Sequence, residues 1–184
     1  MQIDSQKNIL KEARFIESPH YDKRPDNTSI DMIVVHNISL PPGQFLNDSI
    51  EKFFLGKLDS SLHPYFKTIE DLKVSSHLFI NREGVITQFV PFDKRAWHAG
   101  ESFFQGKTGC NDFSIGIELE GEDERPYEKI QYTTLAKIIS TLMEKYSAIT
   151  RDRIVGHSTI APNRKTDPGP AFDWTHLDYL LHNV

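Results

Sequence analysis

The chain has 184 residues, 38% of them hydrophobic and 26% charged, which is enough apolar material for one packed domain over residues 1–184. A formal net charge of −5 and a pI near 5.9 exclude nucleic acid and anionic membrane surfaces as main partners, because both are themselves negative. A single cysteine, Cys110, excludes an intrachain disulfide and any zinc site with two or more thiolates. A metal ion would therefore be bound by histidine and carboxylate side chains.

The first predicted element is a helix over residues 3–16, where apolar residues follow a loose helical spacing. Charged residues interrupt this segment, so it contains no signal-peptide apolar region, and no later run approaches the length of a membrane span. We therefore expect a cytosolic protein. The next predicted elements are a strand over 31–36, a helix beginning at Asn47 or Asp48 and ending at Gly56, and a β-hairpin over 75–90.

The second half of the chain contains the most regular strand pattern. In residues 113–120 apolar side chains alternate with Ser, Gly and Glu, so Glu118 and Glu120 project from the same strand face. Strands and helices are interspersed and one connection is a tight hairpin, which favours an α+β fold with a mixed central β-sheet flanked by helices. The other predicted elements are a loop over 91–111, a helix over 128–146, a strand over 153–155, a loop over 156–170 and a final helix over 172–181 capped by Asp173.

Two of the eight histidines follow predicted strands. His36 ends one apolar strand and His157 follows another, while Asp167 lies ten residues later in a loop rich in Pro and Gly. Two imidazoles and one carboxylate, with a position left open for water, form the ligand set of a catalytic zinc site. The spacing has no compact regularity, so packed histidines near a sheet edge explain the pattern equally well.

Glu118 and Glu120 allow two interpretations. Carboxylates at positions i and i+2 form either a glycosidase pair or a solvated strand face. Glu118 lies between apolar residues, and desolvation on a central strand would raise its pKa, as a general base requires. Lys165 is two residues from Asp167 and would lie at the same place if Asp167 is a ligand, although a lone loop lysine is usually solvated.

Trp97 and His98 are adjacent in the predicted loop. They could form a platform on which a sugar stacks, or they could pack beneath the loop, and the residue pattern does not decide between these. His77, inside the predicted hairpin, is interpreted as a packed histidine.

Eight motifs follow one another along nearly the whole chain. They are PHYDKRP (19–25), VVHNISLPPG (34–43), HPYF (63–66), VSSHLFINREG (74–84), VPFDKRAWHAG (90–100), CNDFSIGIELEG (110–121), VGHSTIAP (155–162) and RKTDPGPAFDW (164–174). In this order they resemble the motifs of the cytosolic 1,6-anhydro-N-acetylmuramyl-L-alanine amidases (AmpD type). This group belongs with the zinc N-acetylmuramoyl-L-alanine amidases and the peptidoglycan recognition proteins.

The resemblance implies a fold, a cofactor and a reaction. The fold is that of the peptidoglycan recognition proteins, the cofactor is one Zn²⁺ per chain, and the reaction cleaves the amide between the lactyl group of anhydromuramic acid and L-alanine during recycling of peptidoglycan. An anhydromuropeptide is then the partner, and we expect a monomer. The implied site comprises the zinc ligands His36, His157 and Asp167, the general base Glu118, the oxyanion partner Lys165, and Asn37, Trp97 and His98 near the substrate.

Three alternatives remain. An autolysin or phage-type amidase would attack intact peptidoglycan, which requires export or lysis. A non-catalytic muropeptide-binding module would be expected to lack a zinc ligand, whereas His36, His157 and Asp167 are all present. A glycosidase using Glu118 and Glu120 would leave the three ligand-type residues unexplained.

Overall fold

The computed structural model describes residues 1–183. Four α-helices accompany the strands: α1 (Ser49–Phe54), α2 (Lys129–Lys145), α3 (His157–Ile160) and α4 (Trp174–His182). The strands are β1 (Ile3–Asp4), β2 (Ile9–Leu10), β3 (Arg14–Phe15), β4 (Tyr21–Lys23), β5 (Met32–Ile38), β6 (Leu78–Ile80), β7 (Ile86–Gln88), β8 (Lys94–Ala96), β9 (Phe103–Phe104), β10 (Lys107–Thr108), β11 (Ser114–Glu120) and β12 (Ile154–Gly156). Short 3₁₀ turns cover Pro64–Thr68, Cys110–Asp112 and Arg151–Arg153.

A six-stranded mixed sheet in the order β12-β5-β11-β6-β7-β3 forms the centre of the protein. Strands β12, β5, β11 and β6 are mutually parallel, and β6 and β7 form the predicted antiparallel hairpin. Parallel strands in the middle of a sheet are covered on both faces, and β11 is accordingly buried along its whole length. The mixed sheet and α+β class predicted from the sequence are confirmed.

One face of the sheet carries the main apolar core. The apolar side of α2, including Leu135 and Ile139, packs with Ile33 of β5 and with Ile115 and Ile117 of β11. Because strand side chains alternate, the residues between these apolar positions project from the opposite face. In β11 that opposite face consists of Ser114, Gly116, Glu118 and Glu120.

The helix predicted over residues 3–16 is wrong, because this segment forms β1, β2 and β3. A turn joins β1 and β2: the Asp4 carboxylate accepts hydrogen bonds from the backbone N–H groups of Gln6 and Lys7, and Asn8 has a φ of 55°. Such local bonding of Asp and Asn side chains competes with helix formation. Leu10 then donates its N–H to Gln88 in the adjoining hairpin, so its burial comes from tertiary contact.

The segment 156–170, predicted as a loop, begins with the helix α3 (His157–Ile160), a single turn that is too short to show a helical period in the sequence. Other boundaries are close to the predicted ones, apart from strands in one further predicted loop. The Asp173 carboxylate accepts a hydrogen bond from the His176 N–H and caps α4, as predicted. The segment 91–111, predicted as a loop, contains β8 paired with β4 and the small hairpin β9–β10. Among residues 1–183, no helix combines the length and the apolar character needed to cross a membrane.

Candidate metal centre

The candidate metal centre lies where three parallel strands end. In the pairing of β5 with β11, His36 is the register partner of Glu118. The neighbouring β12 ends at Gly156, and His157 begins α3 immediately afterwards. Adjacent parallel strands have their carboxyl ends at one sheet edge, so residues far apart in sequence meet there.

The structure brings His36, His157 and Asp167 together. The Nδ1 atoms of the two histidines are 3.0 Å apart, and Asp167 Oδ2 lies 3.0 Å from His36 Nδ1 and 3.1 Å from His157 Nδ1. His36 and His157 are buried and Asp167 is partly buried. Zinc lies about 2.0–2.2 Å from nitrogen and oxygen ligands, so neighbouring donors of a tetrahedral ion are about 3.3–3.6 Å apart, a few tenths of an ångström more than these separations.

The protonation of these groups also fits a cation. The Nε2 atom of His157 lies 3.0 Å from the Ala99 carbonyl oxygen, which can only accept, so Nε2 donates to it. The neutral form of this ring then has its lone pair on Nδ1, as metal binding requires. Burial lowers the pKa of His36 to about 4, which makes its imidazole neutral at pH 7. A lone pair and a carboxylate oxygen held 3.1 Å apart repel each other unless a cation binds between them. The chemistry of the donor set therefore suits a divalent metal ion.

Hydrogen bonds hold the Asp167 loop against the sheet. The Asn37 amide donates to the Pro168 carbonyl oxygen at 3.1 Å and to the Asp123 carboxylate at 2.8 Å. The Tyr127 hydroxyl donates to the same Pro168 oxygen at 2.7 Å. Asp123 and Tyr127 had no motif or spacing that would have singled them out in the sequence, and their contribution depends on the tertiary structure.

Glu118 lies in the same site with an unsatisfied carboxylate oxygen. Only 8% of the residue is exposed, and Oε2 has no hydrogen-bond partner among the described residues. Burial raises the pKa of Glu118 well above its ordinary value, and the negative charge of Asp167 raises it further while Lys165 opposes the shift. A carboxylate in this environment is a strong proton acceptor, because burial and the nearby negative charge of Asp167 both disfavour its ionised form.

A cavity of about 550 Å³ opens onto these groups. Lys165 lies on an exposed stretch of the loop that also contains Asp167, and both residues line the cavity with Glu118. The same cavity is also lined by the largely apolar side chains of Leu40, Phe53, Phe54, Tyr65, Ile69, Leu72 and Val74. One concave site therefore combines the candidate metal ligands His36, His157 and Asp167, a buried base and a lysine side chain with an apolar surface.

The remaining predicted site residues have different positions. Asn37 and His98 line the cavity, but Trp97 is not among its lining residues, and its ring stacks on His20 with centroids 6.3 Å apart. Glu120 also lies outside the lining. Its carboxylate accepts hydrogen bonds from the backbone N–H groups of Leu46 and Arg82, so it is occupied in joining loops to β11 and does not form a pair with Glu118.

Comparison with known proteins agrees with this site. The sequence profile of the N-acetylmuramoyl-L-alanine amidase family (Amidase_2) matches residues 26–170. The 1,6-anhydro-N-acetylmuramyl-L-alanine amidase AmpD of Salmonella typhimurium is 56% identical over 95% of this chain and 93% of its own length. A crystal structure of a selenomethionine derivative of AmpD superposes with a TM-score of 0.95 at 52% identity, covering 98% of this chain and 99% of that chain.

A second solved structure contains a bound molecule. The N-acetylmuramyl-L-alanine amidase AmiD from Escherichia coli, in complex with the substrate anhydro-N-acetylmuramic acid-L-Ala-D-gamma-Glu-L-Lys, superposes with a TM-score of 0.62 at 31% identity. That match covers 86% of this chain and 60% of the AmiD chain. The profile and the AmpD matches each span most of the chain, and this protein belongs to the N-acetylmuramoyl-L-alanine amidase family.

Proposed function

We propose that this protein hydrolyses the amide bond between the lactyl group of 1,6-anhydro-N-acetylmuramic acid and L-alanine in muropeptides, using one zinc ion per chain. The observation that carries the proposal is the convergence of His36, His157 and Asp167 with the buried carboxylate of Glu118 in one cavity. The relatives named AmpD support the anhydromuropeptide as substrate, because they match this chain over nearly its whole length.

His36, His157 and Asp167 would hold the zinc ion. Their donor set has two nitrogens and one oxygen, and a three-residue set leaves an open coordination position, which is typical of catalytic zinc. When bound, zinc supplies Lewis acidity, which activates water and polarises an amide carbonyl.

Glu118 acts first as a general base and then as a general acid. Its Oε2 accepts a proton from the attacking water as the new C–O bond forms at the lactyl carbonyl carbon. The resulting Glu118 carboxylic acid then donates that proton to the alanine nitrogen, and the C–N bond breaks. The products are a free lactyl carboxylate and the amine of the stem peptide, and no covalent enzyme intermediate forms.

Lys165 stabilises the charge that develops on the carbonyl oxygen. Its side chain lines the cavity next to Asp167 and remains exposed enough to reposition when a substrate binds. A flexible ammonium at this place is suited to a negative charge that exists only in the transition state. Contacts of Asn37, Trp97 and His98 with the substrate stay predictions.

Metal analysis combined with mass spectrometry tests this function. Purified protein should contain about one zinc ion per chain, and digestion of anhydromuramyl-tripeptide should release anhydro-N-acetylmuramic acid and the intact tripeptide. Glu118→Gln serves as the matched control, because it keeps the shape of the side chain and removes the proton acceptor. Equal or faster release of peptides from intact peptidoglycan would favour the autolysin alternative, and tight binding without products would favour a recognition module.

Three further properties belong to the proposal. Residues 1–184 form one zinc amidase domain, the protein acts as a monomer, and it acts in the cytosol, as the resemblance implies. Light scattering after gel filtration would test the monomer, and cell fractionation would test the location.

A further inference from the structure

The two ring nitrogens of His36 have different surroundings. Nδ1 faces the other two candidate metal ligands, which together with His36 form the ligand cluster, and it lies 3.0 Å from both Asp167 Oδ2 and His157 Nδ1. Nε2 faces away from the cluster and lies 2.9 Å from Nδ1 of His98. A neutral imidazole carries one proton, and His36 can bind a metal through Nδ1 only if that proton is on Nε2.

The proton positions follow from the far end of a hydrogen-bonded chain. The Ser114 hydroxyl donates to the Cys110 carbonyl oxygen at 2.5 Å, and a carbonyl oxygen can only accept. Ser114 Oγ therefore accepts from His98 Nε2, which is 3.2 Å away. Neutral His98 then has a lone pair on Nδ1, which accepts the Nε2 proton of His36. This leaves the lone pair of His36 on Nδ1, directed at the cluster.

The strand beneath His98 is shaped to hold this ring. A Cβ atom at Gly116 would lie 2.4 Å from Cγ of His98, which is closer than real contacts allow. Ser114 and Gly116 lie on the same face of β11 as Glu118, so one strand provides the acceptor for His98, the space for its ring and the catalytic base. The backbone N–H of His98 also donates to the Asn111 side chain at 3.1 Å, which restricts the loop.

We propose that His98 is a positioning residue for the metal ligand His36, through the hydrogen-bonded chain Cys110 O, Ser114 Oγ, His98 and His36. Groups that hydrogen-bond to a metal-binding histidine set its tautomer and its ring orientation. Both ring nitrogens of His98 are engaged in this chain, so the predicted contact of His98 with the substrate would not use either nitrogen. The inference rests on the proposed function, because it assigns the lone pair of His36 to a metal ion.

Two variants separate hydrogen bonding from packing. His98→Leu removes the acceptor and should lower zinc affinity about 10- to 100-fold in competition with a chelator. His98→Asn places an amide oxygen near the position of Nδ1, so its affinity should lie close to that of the wild type. Ser114→Ala, a smaller change, should give an intermediate loss. His20→Leu is the control, because His20 stacks on Trp97 and does not line the cavity.

The ¹⁵N shifts of His36 in metal-free protein provide a readout that does not depend on zinc. Wild type should show the tautomer with the proton on Nε2, and His98→Leu should show a mixture. Unchanged affinity and unchanged tautomer in His98→Leu would overturn the inference, as would equal losses in His98→Asn and His98→Leu. If wild type binds no zinc, the proposed function fails, and the ¹⁵N shifts alone still decide whether His98 sets the tautomer.

Discussion

At the scale of single residues, Glu118 shows a conflict between stability and chemistry. Its carboxylate is buried and Oε2 has no partner among the described residues. Burial raises its pKa in the folded state above the unfolded value. Above the unfolded pKa the unfolded chain therefore releases this proton more readily, so metal-free protein loses stability as the pH rises towards the folded pKa.

Glu118→Gln should therefore stabilise the metal-free protein, although it slows hydrolysis by the zinc-loaded enzyme. The gain should be absent near pH 4 and should grow as the pH rises above the unfolded pKa, because only the wild type carries the titrating group. Each 1 kcal/mol corresponds to about 2–4 °C in Tm at this chain length. Hydrolysis in the zinc-loaded enzyme should fall by about 10²- to 10⁴-fold. Thermal denaturation at several pH values checks the first effect, and a constant difference across pH would contradict it.

Lys165 should contribute to turnover far more than to binding. Lys165→Ala is expected to lower kcat by about 10²- to 10³-fold with little change in KM, because the ammonium acts on charge that appears in the transition state. Zinc content should match that of the wild type, since Lys165 is not a ligand. Steady-state kinetics with measured zinc occupancy decide the matter, and a raised KM with unchanged kcat would instead identify Lys165 as a substrate clamp.

Among the secondary-structure elements, β11 has two glutamates on one face with different functions, Glu118 and Glu120. The Glu120 carboxylate accepts the Leu46 N–H at 2.6 Å through Oε1 and the Arg82 N–H at 2.9 Å through Oε2. It thereby joins the loop before α1 and the turn of the β6–β7 hairpin to the strand. Glu118, two residues earlier, makes no such bonds through Oε2 among the described residues.

Glu120→Ala should therefore cost stability and spare the chemistry. The backbone N–H groups of Leu46 and Arg82 lose their acceptor in this variant. Each unsatisfied donor that is buried lowers the free energy of unfolding by about 1–3 kcal/mol. The kcat of the folded fraction should remain within a few fold of the wild type. A urea denaturation series measures the loss of stability. The kcat values of Glu120→Ala and Glu118→Gln are then compared, since the two residues lie on the same face of β11. Equal losses of kcat in the two variants would favour a paired-carboxylate mechanism.

The elements that sequence analysis predicted well share a strong periodic signal. The alternation in 113–120 and the helical spacing in 128–146 correspond to β11 and α2 within about one residue, because burial on a defined face produced both patterns. In the segment 3–16 the helical spacing of apolar residues was misleading. These residues lie on separate short strands joined by turns, so they do not share one face. The strands β8, β9 and β10 are two or three residues long, which is too short for a periodic pattern to identify.

At the scale of the whole molecule, the site depends on the order of strands. His36 and His157 are 121 positions apart, and they meet because β12 pairs with β5. No local pattern encodes that pairing, so residue spacing alone left the two histidines open to a packing explanation. The ordered motifs shared with a known amidase group supplied the ligand set, and the sheet explains why those residues converge.

Metal binding should accordingly stabilise the whole fold. The three ligand residues lie on β5, on α3 and in the loop after α3, so an ion that binds only the folded arrangement opposes global unfolding. At a free zinc concentration about 1,000 times Kd, binding contributes about 4.1 kcal/mol, which corresponds to about 8–16 °C in Tm for this chain length.

Chelation of the purified protein should lower Tm by that range, and added zinc should restore it. His157→Ala removes a ligand, so its Tm should respond little to either treatment, whereas Lys165→Ala should respond like the wild type because its three ligands are intact. Differential scanning calorimetry at fixed free zinc provides the measurement. A His157→Ala variant that still gains the full shift would show that the stabilising ion binds elsewhere, and the assignment of the three ligands would then be wrong.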